Sequence, residues 1–426
     1  MLSTILAVVS LLNARGVVGA EYKIRDVKDF MGFAVSVNTG KTFKGTTVLL
    51  ENDVVFTDEL SAQFRPIGIN GTCQFNGIFD GQGYKISNLK MKFNNQKVGV
   101  FGFSNMLTIR NVVIDDSCSF TSSFSYALSH YVGSLLSYCY ANGGNCILEN
   151  NVNMAPVTFD GYNTLYVADV FVGGIVGNFL SYAFCSMTNC ANYGTVTHSG
   201  TSDITYMGGL AGRAFEYYGS STLPIKNSVN YGDVIHSGTT TVTTWMFVGG
   251  LTGYSQLCNI ENCANFGIVE APAGGNRPGN LVGNFRYSTA SHSYWNGKNS
   301  CGAYGSASNQ TTVECAKFDE NSYKLEKAVT VGKYNGYSLL DALNAYVDDN
   351  PKMSYPHWAT NKGGNAVTFT VNGVKRFALN AKLIVLPNLA KEKKKAFSGW
   401  YTDSACKNLL KEYEISSDKF LYGTFK

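Results

Sequence analysis

Charge is scarce in this 426-residue chain: Asp, Glu, Lys and Arg make up 15% of it and the formal net charge is +4. So weak a field gives nucleic acid no electrostatic footprint to bind, so no nucleic-acid partner is expected. Long apolar runs are missing after the opening stretch, so no later segment is expected to cross a bilayer as a helix. The one such run, Leu2 to Leu12, is short for a span and leads to the small residues Val18-Gly19-Ala20 before Glu21. That pattern predicts a secretory signal peptide over residues 1–20, with a retained N-terminal anchor as the alternative, and hence a secreted or cell-surface protein. Apolar spacing of the helical kind is also rare, which excludes the helical-repeat solenoids.

What the chain has is repetition. Met187 to Gly200 reads M-T-N-C-A-N-Y-G-T-V-T-H-S-G, Ile225 to Gly238 reads I-K-N-S-V-N-Y-G-D-V-I-H-S-G, and Ile260 to Val269 reads I-E-N-C-A-N-F-G-I-V. A looser copy covers Leu148 to Gly161. Aligned, the copies stack Asn150, Asn189, Asn227 and Asn262 in one column and Asn153, Asn192, Asn230 and Asn265 in a second. Val157, Val196, Val234 and Val269 form a third column. A second signature interleaves: Val172-Gly173-Gly174, Met207-Gly208-Gly209 and Val248-Gly249-Gly250. Self-similarity at one period marks a solenoid, and short β-branched and aromatic segments broken by Asn and Gly mark stacked strands. The fold class expected is mainly β, a parallel β-helix over residues 21–300, with identical side chains about 4.8 Å apart between coils. Buried Asn can hydrogen-bond from coil to coil, and Asn and Gly tolerate left-handed corners.

The apolar-x-Asn element indexes six coils: Ile86/Asn88, Ile109/Asn111, Leu148/Asn150, Met187/Asn189, Ile225/Asn227 and Ile260/Asn262. Val27, Phe30, Met31, Phe33, Ala34 and Val37 recur at helical spacing after Asp26, which predicts a capping helix for the first coil. Beyond residue 300, a connecting region with a helix near Tyr337 to Val347 is expected over 301–373, and a small β-rich module over 374–426.

Phe75-x-Gly77-x-Phe79-Asp80-Gly81-x-Gly83, followed by Ile86-x-Asn88-Leu89 and Val98-Gly99-x-Phe101-Gly102, resembles the pectin-lyase-like right-handed β-helices that carry GLUG motifs. The Gly-Gly and Asn-Cys units are similar to those motifs as well. Near the end, Phe397-x-Gly399-Trp400-Tyr401-Thr402-Asp403 is similar to the internalin-type B-repeat. The resemblance implies a surface or secreted protein, with adhesion to host or matrix as its expected role.

Eleven Cys fit an oxidising compartment. Cys185 with Cys190 and Cys258 with Cys263 appear and vanish together between copies, which predicts two within-coil disulfides; the copy at Cys146 has Asn151 in the partner position, which leaves Cys139 as its candidate partner, and Cys301 with Cys315 is a further candidate pair. Buried free thiols stacked in the core are the alternative. The C-x4-C pairs lack companions at zinc spacing, so no metal and no cofactor is expected. His198 and His236 share a column with Phe159 and read as surface repetition. Asp115-Asp116 is an adjacent acidic pair in the solenoid, a place where a carbohydrate-active enzyme would put acid–base chemistry; a solvated turn explains it as well. With no catalytic constellation evident, a non-enzymatic protein is expected, a polysaccharide lyase or hydrolase and a structural coat component being the alternatives. Aromatic residues gather between the Gly-Gly and apolar-x-Asn elements and read as corner insertions. Tyr140, Tyr182, Tyr217, Tyr218, Tyr254 and Tyr287 among them are candidate contacts to an extracellular glycan or protein, unless they serve only to pack their own coils.

Overall fold

The computed structural model describes residues 20–93, 96–123, 128–162, 169–217, 222–241, 245–272, 278–298, 301–319, 321–325, 337–353, 355, 357–361, 367–371, 374–379, 383–385, 397–402, 404–410, 414–415 and 420–425. Of the expected signal peptide only Ala20 falls among them, and the candidate contact Tyr218 falls outside.

The chain winds into a right-handed parallel β-helix. One coil shows the plan: Asn145–Glu149, Val152–Asn153, Val157–Phe159, Asp169–Gly173 and Val176–Ser181 enter, in turn, a ten-, nine-, six-, five- and seven-stranded sheet. Phe184–Thr188 then returns to the ten-stranded sheet one level on, with Cys146 over Cys185 and Leu148 over Met187. The Val column stands as read, Val157 on Val196 on Val234 on Val269, all buried.

Both Asn columns form, by different physics. Asn111, Asn150, Asn189, Asn227 and Asn262 turn the corner in the left-handed region, with φ between 48° and 55°, where Asn is among the few side chains that sit without large strain. The second column is extended backbone with fully buried amides: Asn153 Nδ2 donates to Asn192 Oδ1 at 2.8 Å, Asn192 to Asn230 at 2.8 Å and Asn230 to Asn265 at 2.9 Å. Each amide also donates to the carbonyl two residues on, as Asn192 does to Gly194 at 2.8 Å. The glycines beside this column answer to crowding: a Cβ on Gly194 would lie 1.9 Å from the Ala155 carbonyl oxygen. Gly194→Ala should therefore lower stability by about 2 kcal/mol as the coils are forced apart, read as a lower denaturant midpoint. An unchanged midpoint would mean the coils yield freely there.

One rung of the indexing is corrected. Ile109 stacks on Phe79, and Ile86 pairs with Ile114 in the nine-stranded sheet. Asn88 thus lies one corner further along its coil than Asn111, and the early coil is longer than the 23-residue interval suggested. The solenoid also outruns residue 300: Tyr304–Ser308, Thr311–Val313 and Ala316–Phe318 add to the seven-, ten- and nine-stranded sheets.

The N-terminal cap is helix α1, Val27–Asn38, whose N-cap Asp26 accepts from the backbone N–H of Lys28 and Asp29. Its Phe30, Phe33 and Val37 are fully buried in the first coils, with Phe30 and Phe33 ringed by Phe43, Phe56, Phe64, Phe75 and Phe79. Helix α2, Asp58–Gln63, follows. Helix α3, Leu339–Asp349, lays Leu339, Leu343 and Tyr346 on the outer side of the nine-stranded sheet, in one core with Val152, Ala191, Val229, Ala264 and Trp358. There Trp358 Nε1 donates to Asn227 Oδ1 at 2.8 Å, which ties the C-terminal region to the Asn ladder. Trp358–Asn361 pairs with Leu383–Val385 and Glu414–Ile415, and Val367–Val371 pairs with Val374–Leu379 and Phe420–Phe425. The C-terminal β module thus begins before residue 374, inside what the sequence suggested was a connecting region.

Candidate functional site

Of the aromatic residues read as corner insertions, Tyr138, Tyr140, Phe179, Phe215, Tyr254 and Phe285 belong to strands, whereas Tyr182, Tyr217 and Tyr287 stand at the corner just past a strand end. Along Leu136–Ala141 the side chains alternate: Cys139 and Ala141 point into the core while Tyr138 and Tyr140 face out. Their neighbours Phe179 and Phe285 are fully buried core residues. Strand alternation thus splits the set and lays its outer half on one continuous face of the five- and seven-stranded sheets.

On the five-stranded sheet Tyr131, Phe171, Tyr206 and Phe247 stand in register. The Tyr131 and Phe171 ring centroids are 5.1 Å apart with planes 1° from parallel, Phe171 and Tyr206 are 4.8 Å apart at 6°, and Tyr206 and Phe247 5.3 Å apart. On the seven-stranded sheet Tyr138 stacks on Tyr131 at 4.5 Å, and the rings continue through Tyr140, Tyr182 and Tyr217, with Tyr140 to Tyr182 at 5.0 Å and Tyr182 to Tyr217 at 4.6 Å. Phe215 and Tyr254 close the circuit back to Tyr206. Of the candidate contacts, Tyr140, Tyr182, Tyr217 and Tyr254 lie in this frame, whereas exposed Tyr287 sits two coils beyond Tyr217 at the same corner.

Inside the frame are Asn178 and Arg213, neighbours in register. The Arg213 guanidinium lies 4.7 Å from the Phe171 centroid, 5.6 Å from Tyr206 and 5.4 Å from Phe215, and its Nε donates to Asn178 Oδ1 at 3.0 Å. Asp169 begins the strand that carries Phe171; burial raises its carboxyl to about 6 against the pull of Arg213. Burial likewise pushes up the phenols of Tyr131, Tyr138 and Tyr206, so each remains a hydroxyl that can donate. Sequence reading missed Tyr131, Phe171, Tyr206, Phe247, Arg213 and Asp169. The signal was there: an aromatic residue stands two places before the first Gly in Tyr131-Val132-Gly133, Phe171-Val172-Gly173, Tyr206-Met207-Gly208 and Phe247-Val248-Gly249.

The other sequence candidates lie apart from this frame. Asp115 is tied down by Ser87, Ser117 and Lys85, so it serves a turn of the early coils. His198 and His236 stack with centroids 4.4 Å apart, but they are buried and not a surface repeat. The six cysteines expected in disulfides, Cys185, Cys190, Cys258, Cys263, Cys301 and Cys315, are free thiols, and the bond that forms joins Cys139 to Cys146. The reason is strand geometry: Cys185 lies in Phe184–Thr188 and Cys190 beyond the next corner, and the strand steps to Thr188 alone put roughly 10 Å between their backbones, past the reach of a disulfide. The same spacing separates Cys258 from Cys263.

No family model matches the chain, and no curated protein matches it. Among solved structures, it is similar to a crystal structure described as "a putative immunoglobulin A1 protease from Bacteroides ovatus", with 19% identity and a TM-score of 0.49 over 72% of this chain and 90% of that one. The GLUG and B-repeat resemblances therefore gain no support beyond the β-helix itself. That structure is named as a protease, so the expectation of a non-enzymatic protein gains no support from it, and the name says nothing of this chain's own activity.

Proposed function

We propose that this β-helix is secreted or displayed at the cell surface and binds an extended glycan chain on its aromatic frame. The observation that carries the reading is the unbroken run of rings around Arg213 and Asn178. The stacked rings present their outer edges and the tyrosine hydroxyls to a sugar chain, and Arg213, held by buried Asn178, supplies a charged donor that fixes orientation. The coil spacing of about 4.8 Å repeats that mixture along the axis, which suits a polymer better than a compact ligand. A glycan array on the mature chain tests this. Binding should appear, and Tyr206→Ala or Arg213→Ala should weaken it about tenfold or more, while Tyr287→Ala should not. A frame variant that binds as well as the unmodified chain sinks the proposal, as does an array with no binding at all.

One observation favours a second reading in which the bound polymer is also cleaved. Asp169, with its carboxyl near 6, sits beside a fixed cation on the same face, poised for proton transfer at neutral pH. Under that reading Asp169→Asn abolishes turnover of a bound saccharide and leaves its binding intact.

A further inference from the structure

At the corner where the seven-stranded sheet hands over to the ten-stranded one, adjacent coils bring Cys139, Cys146 and Cys185 together. Their sulfurs all lie within 4.8 Å of one another and all three side chains are fully buried. Cys146 and Cys185 are stacked partners in register, and Cys139 Sγ is 3.7 Å from Cys185 Sγ. Sulfurs on a tetrahedral zinc ion, each about 2.3 Å from the metal, stand about 3.8 Å apart, so the cross-coil distance already suits shared coordination.

A second feature points to a cation. Glu216, on the next coil, is fully buried, and neither carboxylate oxygen has a hydrogen-bond partner. It stacks on Ser181 at the end of the same sheet. Through Ser181 it lies one coil beyond this corner, outside the group the three sulfurs form. A buried carboxylate with no donor is costly unless a proton or a cation neutralises it.

We propose that Cys139, Cys146 and Cys185 form a three-thiolate site for a thiophilic divalent cation such as zinc when the Cys139–Cys146 bond is reduced, with a water as the fourth ligand. The chemistry balances with a thiol reductant: two reductant thiols become one disulfide, and the Cys139–Cys146 bond becomes two thiols. Zinc then displaces the thiol protons, since the bound ligands are thiolates. Exchange with a small-molecule disulfide, which is reduced to two thiols as the Cys139–Cys146 bond re-forms, removes two ligands and expels the ion. Sequence spacing concealed the site because its three ligands come from three different strands.

The test is to refold the full chain with zinc, once in excess thiol reductant and once after oxidation, and to measure zinc per chain after gel filtration. About one zinc ion per reduced chain and almost none per oxidised chain is expected. Cys185→Ser should cut the zinc held by at least tenfold, and Cys258→Ser should leave it unchanged. Cobalt in place of zinc should give the thiolate charge-transfer and visible bands of a tetrahedral sulfur-rich site. A reduced, folded chain that holds no zinc and gives no such cobalt spectrum overturns the proposal, and so does full zinc content in Cys185→Ser.

Discussion

Replacing Asn192 by alanine should lower the unfolding free energy by about 3–5 kcal/mol, more than almost any other single change in the solenoid. Its amide donates to Asn230 Oδ1 and to the Gly194 carbonyl and accepts from Asn153 Nδ2, all at 2.8 Å and all fully buried. Alanine strips three hydrogen bonds at once and leaves polar groups on both flanking coils facing an empty space. The space cannot close, because Gly174 already lies so near that a Cβ there would be 2.4 Å from the Asn192 amide carbon. Asn265→Ala, at the end of the ladder, removes only the bonds to Asn230 and Gly267 and should cost clearly less. Denaturant unfolding of the two variants measures the difference. If Asn192→Ala costs under about 1 kcal/mol, hydrogen bonding down the column is not what couples the coils.

The same column explains what could be read in advance. Repeated Asn, Gly and Val at one offset can satisfy their polar groups only by stacking, so the β-helix, both ladders and the helical cap follow from spacing alone. The frame is harder to see because it depends on alternation: Tyr138 and Cys139 are adjacent in sequence and lie on opposite sides of the sheet wall. Counting aromatics found Tyr140, Tyr182 and Tyr217, yet Arg213 and Asp169 matter only once three coils are superposed. Cysteine pairing failed for a related reason, since co-occurrence within a copy reports a shared column pattern and not contact along the strand. The Asn88 register error came from treating two corners as one: both hold a left-handed Asn, with φ of 58° at Asn88 and 55° at Asn111.

Acid should loosen the middle coils through the buried histidine pair. His236 Nε2 contacts the Thr240 hydroxyl at 2.9 Å, His198 Nε2 contacts Ser202 at 3.1 Å, and Thr205 bridges the two sets, 2.7 Å from the Ser202 hydroxyl and 3.4 Å from His236 Nε2. Hydroxyls of this kind accommodate neutral imidazoles and supply no charge to balance a proton. Burial lowers His236 from 6.5 to about 4, and burial with the facing His236 ring lowers His198 well below its usual range. In the unfolded chain both titrate near 6.5. Above that pH neither state holds the protons and stability does not depend on them. As pH falls through 6.5 the unfolded chain binds protons that the folded chain refuses, so stability is lost steadily down to about pH 4, where His236 begins to protonate in place. At about 1.4 kcal/mol per unit, His236 alone accounts for a loss on the order of 3 kcal/mol, and His198 adds to it. The column supplies its own control, because Phe159 fills the slot beneath His198 in the same register. His198→Phe with His236→Phe should keep the stack and flatten the decline between pH 6.5 and 4, followed as the denaturation midpoint at each pH. A double variant that loses stability over that window as steeply as the unmodified chain would show that the imidazoles are not the groups refusing the proton.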